Sequence, residues 1–164
     1  GHGLSAAQIR LIGVGAVTHD VGKLSIPDAV LNKRGRLTAE EFQLMKTHTL
    51  KGAELLSTIP QMREHSAYAY AYDIALHHHE RWDGRGYPHG LVGDQTPIWT
   101  QVVALADVYD ALVSKRCYKE AYPPHTAMEM ILEGQCGAFN PRLLGCLRRA
   151  EPVLRKLYQP WGGA

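Results

Sequence analysis

The segment ALHHHERWDGRGYP, residues 75–88, sets His77, His78 and His79 in a row and follows them with Glu80, Asp83, Gly84, Gly86, Tyr87 and Pro88. Neutral imidazoles ligate borderline transition metals, and carboxylates ligate these and harder ions, so the run offers metal chemistry beside a glycine-rich turn. Neighbouring side chains on a helix point about 100° apart, so only two of the three rings address one site easily, and they converge best where a helix ends. A second pair, His19 and Asp20 in THDVGK, can bind one metal each or let the carboxylate bridge two ions; taken alone it is equally a capping or surface pair. Asp107 sits in VVALADVYDAL, where nearly every neighbour within a turn is apolar. A carboxylate in such surroundings needs a cation, hydrogen bonds or a metal. Asp110 follows one turn later on the same side, and His48 adds a nitrogen from a separate segment. His19, Asp20, His48, His78, His79 and Asp107 together make a nitrogen and oxygen donor set without thiolate. That mixture favours a multi-ion site of iron, manganese or nickel, with zinc also fitting.

Helices must carry these groups. Ser5 is placed to cap a first helix that ends near His19, although Gly13 and Gly15 weaken its pattern. IPDAVLNKRGR reads as one helical turn and a glycine turn. A capping box, Thr38 with Glu41, opens the next helix, and His48 lies on or just after it. From about Met62 to His79 there is no Gly or Pro, and Tyr68, Tyr72, Ala75 and Leu76 share one face, so one helix is predicted to deliver the histidines. Residues 80–96 read as a long ordered loop, a functional candidate by its length. A helix then starts at Pro97, another near His125, and a last one at NPRLL, with Asn140 capping and Pro141 in its first position. No alternating strand pattern or repeat appears, so the fold class is all-α.

With 164 residues, 45% of them hydrophobic, the chain can bury one sizeable core, and we expect a single domain over residues 1–164. A net charge of +2 does not indicate a DNA or RNA polymer or a polybasic membrane patch as partner. Cys117, Cys136 and Cys146 form no CxxC pair, which fits a reducing cytoplasm. No run of about 18 apolar residues occurs, so no direct membrane contact is expected.

In order along the chain, HDVGKLSIPDAVLNKRGRLTAEEFQLMKTH, HHERWDGRGYP and ALADVYDALVSKRCYK resemble the HD-GYP subgroup of the HD-domain phosphohydrolases over roughly residues 4–145. HHERWDGRGYP matches the HHExxxDGxGYP pattern at each fixed position. The resemblance implies an HD-domain helical bundle with a long ordered GYP loop, acting as a cytoplasmic cyclic di-GMP phosphodiesterase that yields the linear dinucleotide pGpG and in some members GMP. It implies that His19, Asp20, His48, His78, His79 and Asp107 ligate two metal ions, three in some members, with Asp20 bridging. Lys23 matches a lysine beside the phosphate, while Arg116 and Lys119 match basic residues that hold the ligand's phosphates. Asp110 and Tyr87 are assigned to the substrate pocket. Glu80, Asp83, Gly84, Gly86 and Pro88 are assigned to building the loop. Two ions can activate water near neutral pH, neutralise the phosphodiester and stabilise the leaving oxygen.

Members of the family usually bring another histidine, and often a glutamate, from a helix upstream of the HD pair, and only eighteen residues precede His19 here. The chain also starts without Met. It is therefore read as lacking its first helix and as the C-terminal output domain of a longer protein, compatible with a homodimer. A second reading follows from the shortened end: a catalytically weak domain that binds cyclic di-GMP or docks a GGDEF-type diguanylate cyclase. The retained ligand set argues for the enzyme.

Overall fold

The computed structural model describes residues 3–115 and 121–158. It is helical throughout, without a strand among the described residues, as the all-α reading expects. Among the described residues no helix is long and apolar enough to cross a membrane. The chain divides into two compact units, residues 1–103 and 104–164.

In the first unit α1 (Ala6–Val17) starts from the expected cap: the Gln8 amide donates to the Ser5 hydroxyl at 3.2 Å, and the Ser5 amide donates to the Gln8 side chain at 2.9 Å. The helix stops just before the HD pair, which leads into a 3-10 turn over Val21–Ser25. A single turn, α2 (Asp28–Leu31), follows Pro27. The Thr38–Glu41 capping box forms and opens α3 (Ala39–Lys46), with reciprocal bonds of 3.2 and 2.7 Å. At Thr47 the hydroxyl turns back to the Leu44 carbonyl at 2.7 Å, and the chain restarts as α4 (His48–Thr58). His48 is therefore the first residue of a new helix.

The predicted helix from Met62 to His79 is two helices, α5 (Pro60–Glu64) and α6 (Tyr68–His77). The break lies at His65, whose backbone is extended and whose Nδ1 accepts from the Ala67 amide at 3.1 Å. A side chain that satisfies a nearby backbone donor competes with helix continuation, and periodicity alone does not report it. α6 is the central rod of this unit, burying Ala71, Ile74, Ala75 and Leu76. Ile74 packs with Ile12 of α1 and Val103, flanked by Tyr70 and Trp99. Ala71 and Ala75 pack with Leu56 of α4, flanked by Val21 and Met62. The two apolar clusters hold α1, the 3-10 turn and α4 around the one helix whose C-terminal end carries the histidines.

The second unit begins within α7 (Ile98–Val113) and continues through α8 (Pro124–Leu132) to α9 (Pro141–Leu157). Asn140 caps α9 through the Arg142 amide at 3.0 Å, with Pro141 in the first turn as expected. Leu105, Tyr109, Leu112, Ala127, Met128, Ile131, Leu143 and Leu147 are among its buried side chains.

Candidate metal centre

Four side chains of the first unit converge: one ligand atom each from Asp20, His48, His78 and His79 lies within 4.8 Å of all the others. They come from three places, the end of α1's connection, the start of α4 and the end of α6. His78 and His79 can both face the centre because α6 ends at His77, releasing them from helical spacing.

Backbone carbonyls aim the rings. His48 Nδ1 donates to the Met45 carbonyl at 2.7 Å, and His78 Nδ1 donates to the Ile74 and Ala75 carbonyls at 2.9 and 3.2 Å. A carbonyl can only accept, so each Nδ1 carries the proton and each neutral ring presents a bare Nε2 lone pair. Those two Nε2 atoms stand 3.4 Å apart, which between neutral rings is lone pair against lone pair rather than a hydrogen bond. They lie 3.4 and 3.7 Å from Asp20 Oδ1, an oxygen that is buried without a hydrogen-bond partner among the described residues. Converging acceptors without a proton between them are favourable only around a cation. The donor set therefore fits a divalent metal.

The rest of Asp20 is tied down. Lys23 Nζ donates to Oδ2 at 2.5 Å, and His19 Nε2 stands 3.3 Å from the same oxygen, an attraction when that ring is protonated. Burial alone would raise the Asp20 carboxyl, but hydrogen bonds from His19 and Lys23 with their charges hold it well below the usual carboxylate range. Burial, helped by the neighbouring imidazoles, pushes His78 down to about 4 and His79 down to about 2, and burial also lowers His48. At neutral pH the three rings are neutral and ready to ligate.

That depression has a stability consequence. Because the folded pKa of His78 lies below the ordinary 6.5, the unfolded chain takes up the proton first as pH falls. We expect the metal-free domain to keep this stabilisation fully above about pH 6.5 and to lose it progressively towards pH 4, by at most about 1.4 kcal/mol per pH unit for each such imidazole. Denaturant unfolding across pH 4–7.5 checks this; a midpoint that does not fall on acidification would contradict it.

The loop after α6 braces the centre. Tyr87 stacks on His79 with ring centroids 4.8 Å apart, its amide donates to the His79 carbonyl at 3.2 Å, and Phe42 meets its edge from α3. Lys46 Nζ lies over both the Phe42 and Tyr87 rings, at 4.9 and 5.4 Å. Tyr87 here packs on a ring that could ligate a metal; its expected contact with substrate is a separate matter. Phe42 and Lys46 were not anticipated from sequence, and only their apolar and basic character in the segment before His48 hinted at them.

Glu80 is buried and accepts from the amides of His89 and Leu91 at 2.7 and 3.0 Å, closing the loop on itself. Asp83 takes Arg81 in a two-pronged pair, 3.0 and 2.7 Å, and the Arg85 amide at 3.2 Å. Gly84 holds φ +74°, and a Cβ on Gly86 would meet the Arg81 amide nitrogen at 2.4 Å and the Glu80 Cα at 2.5 Å. The Tyr87–Pro88 peptide is cis. Replacing Glu80 by Ala leaves two inward amides without acceptors and should cost about 2–4 kcal/mol, read as a lower unfolding midpoint and faster amide exchange over residues 84–95.

His77 stays out of the group; its Nε2 pairs with His89 Nδ1 at 3.1 Å. Asp107 is half-buried on α7, in the second unit. Asp110, also there, accepts from the Ser114 hydroxyl at 3.2 Å and the Tyr158 hydroxyl at 2.7 Å. Arg116 and Lys119 lie outside the described residues.

Comparison with known sequences decides the family. The sequence model described as HD domain matches residues 2–143. The chain belongs to the HD-domain family. The chain is 44% identical, over 94% of its length, to the cyclic di-GMP phosphodiesterase response regulator RpfG of Xanthomonas campestris pv. campestris, covering 40% of that protein. It is 46% identical over 90% of its length to a cyclic di-GMP phosphodiesterase of Vibrio cholerae, covering 30% of it. It is also similar to the 3′3′-cGAMP-specific phosphodiesterase 2 of Vibrio cholerae, 38% identical over 89% of its length and 27% of the relative's. The HD domain thus spans well under half of each relative.

Proposed function

We propose that this HD domain is a metal-dependent phosphodiesterase that hydrolyses cyclic di-GMP to pGpG, with GMP as a further product. The observation that carries the reading is the buried, unpaired Oδ1 of Asp20 facing the bare Nε2 atoms of His48 and His78. Asp20, His48, His78 and His79 would hold the metal, with His19 beside them and Asp107 assigned to the set by resemblance to the family. Two ions of iron or manganese suit these nitrogen and oxygen donors best, ahead of nickel or zinc. Bound there, the metal activates water and neutralises the phosphodiester.

The chain's own residues do the remaining work. Asp20 directs one oxygen inward while Lys23 and His19 occupy the other, so the carboxylate is held in one orientation. Lys23 is then placed to donate to a non-bridging phosphate oxygen, as Arg116 and Lys119 are proposed to do. The carbonyls of Met45 and Ile74 keep the protons of His48 and His78 on Nδ1, so neither ring needs to lose a proton to ligate. Tyr87 keeps His79 from rotating away. Docking of a GGDEF-type cyclase on the GYP loop and a cytoplasmic setting belong to the same proposal.

The test is metal analysis of the purified protein followed by chromatography of its cyclic di-GMP products. Bound iron or manganese with pGpG formation supports the reading. Stoichiometric metal and tight cyclic di-GMP binding without turnover would favour the binding-domain alternative instead.

A further inference from the structure

Beside the metal centre the first unit opens a cleft of about 500 Å3, with Asp20 and Lys23 among its lining and Val17, Leu24, Asp28 and Leu31 continuing it. Its walls are unusual for a surface that borders charged groups: Val17 and Leu24 are 84% and 81% exposed. Asp28 opens α2, is exposed, and its carboxylate has no hydrogen bond or ion pair among the described residues. A volume of this size holds a nucleoside. The apolar side chains suit the faces of a flat heterocycle, which loses little by leaving water. The carboxylate repels phosphate, so whatever lies against it must bring hydrogen-bond donors.

We propose that this cleft is the subsite for one guanine of the substrate and that Asp28 is the residue that reads it. The inference rests on the cyclic dinucleotide reading above and deepens it. Guanine presents N1–H and N2–H side by side, two donors that a carboxylate accepts together in a charge-assisted pair. Adenine presents an N1 lone pair in the same place, which the carboxylate opposes. A site built to satisfy donors rejects the analogue that lacks them more sharply than an apolar pocket rejects a small change of shape. Lys23, at the metal-centre part of the cleft, places the phosphate, and the base attached to that nucleotide extends over Leu24 towards Asp28. Asp28 is thus a specificity residue for guanine over adenine, with Val17, Leu24 and Leu31 as its base-indifferent platform.

The experiment titrates phosphorothioate analogues of cyclic di-GMP and cyclic di-AMP into the metal-loaded protein by calorimetry, with turnover of the natural dinucleotides measured in parallel. The wild type is expected to bind the guanine analogue at least about 10-fold more tightly than the adenine one. Asp28→Asn should weaken the guanine analogue by about 10- to 100-fold and leave the adenine analogue within about 3-fold, with metal content unchanged. Leu24→Ala should weaken both analogues by a similar factor, about 5- to 10-fold. Undiminished discrimination in Asp28→Asn overturns the assignment of the reader. Unchanged affinities in Leu24→Ala would give the apolar wall to a protein segment and overturn the subsite. A wild type that neither binds nor turns over either dinucleotide defeats the phosphodiesterase reading itself and this inference with it. That result is distinct from a wild type active on cyclic di-GMP whose Asp28→Asn variant discriminates as before.

Discussion

Asp20→Ala is expected to lose bound metal to below about one tenth of the wild-type content and to lower cyclic di-GMP turnover by at least about 10³-fold. Among the described residues Asp20 is the one carboxylate in the converging group, and its Oδ1 has no other partner to lose. Without it three neutral imidazoles remain, a set with no negative charge to offset a divalent ion. The apo fold should survive. Asp20 and its partners Lys23 and His19 are all partly exposed and able to reach water, so no buried charge is orphaned. Elemental analysis, product chromatography and circular dichroism of the same preparation separate these effects. Full metal content or wild-type turnover in a folded variant would refute the assignment.

Gly22→Ala should be nearly as damaging, through packing. A Cβ there would lie 1.9 Å from the His48 carbonyl oxygen, 2.5 Å from the Gly52 amide nitrogen and 2.8 Å from the His48 carbonyl carbon. All three are backbone atoms of α4, so no rotamer change relieves the contact. The 3-10 turn that follows Asp20 and carries Lys23 must then move off the helix that carries His48. We expect a loss of about 3 kcal/mol or more in denaturant unfolding, together with weaker metal binding in the fraction that stays folded. An unchanged midpoint with unchanged metal affinity would show that the two segments separate freely. The variant tests whether ligand spacing depends on this contact, which Asp20→Ala leaves intact.

Much of this was legible in the residues. Local signals that act within four residues read correctly: Ser5 and Thr38 cap as their types and spacing demand, and Asn140 with Pro141 opens α9. Errors fell where side chains interrupt a regular pattern. His65 bonds to nearby backbone and ends a helix that periodicity would have continued. The donors Asp20, His48, His78 and His79 were named from residue type and family pattern alone, and the structure brings those four together. Arg81 had no assigned partner in the sequence, since nothing in linear spacing distinguishes its pairing with Asp83 from a contact elsewhere.

The amino-acid sequence by itself determined the helical class, the caps, the membership in the HD-domain family and the chemical types of the candidate ligands. Tertiary structure decided which atoms of those ligands meet. Whether His48 offers Nε2 depends on a Met45 carbonyl left over at the end of α3, and whether His79 stays put depends on a Tyr87 ring returned to it by the loop. The unpaired Oδ1 of Asp20 exists because α4 and α6 pack against the turn after α1 and shut water out. ALHHHERWDGRGYP specifies what can bind, a property of side-chain chemistry. Where the lone pairs point is set by long-range packing and backbone hydrogen bonds, which no local pattern encodes.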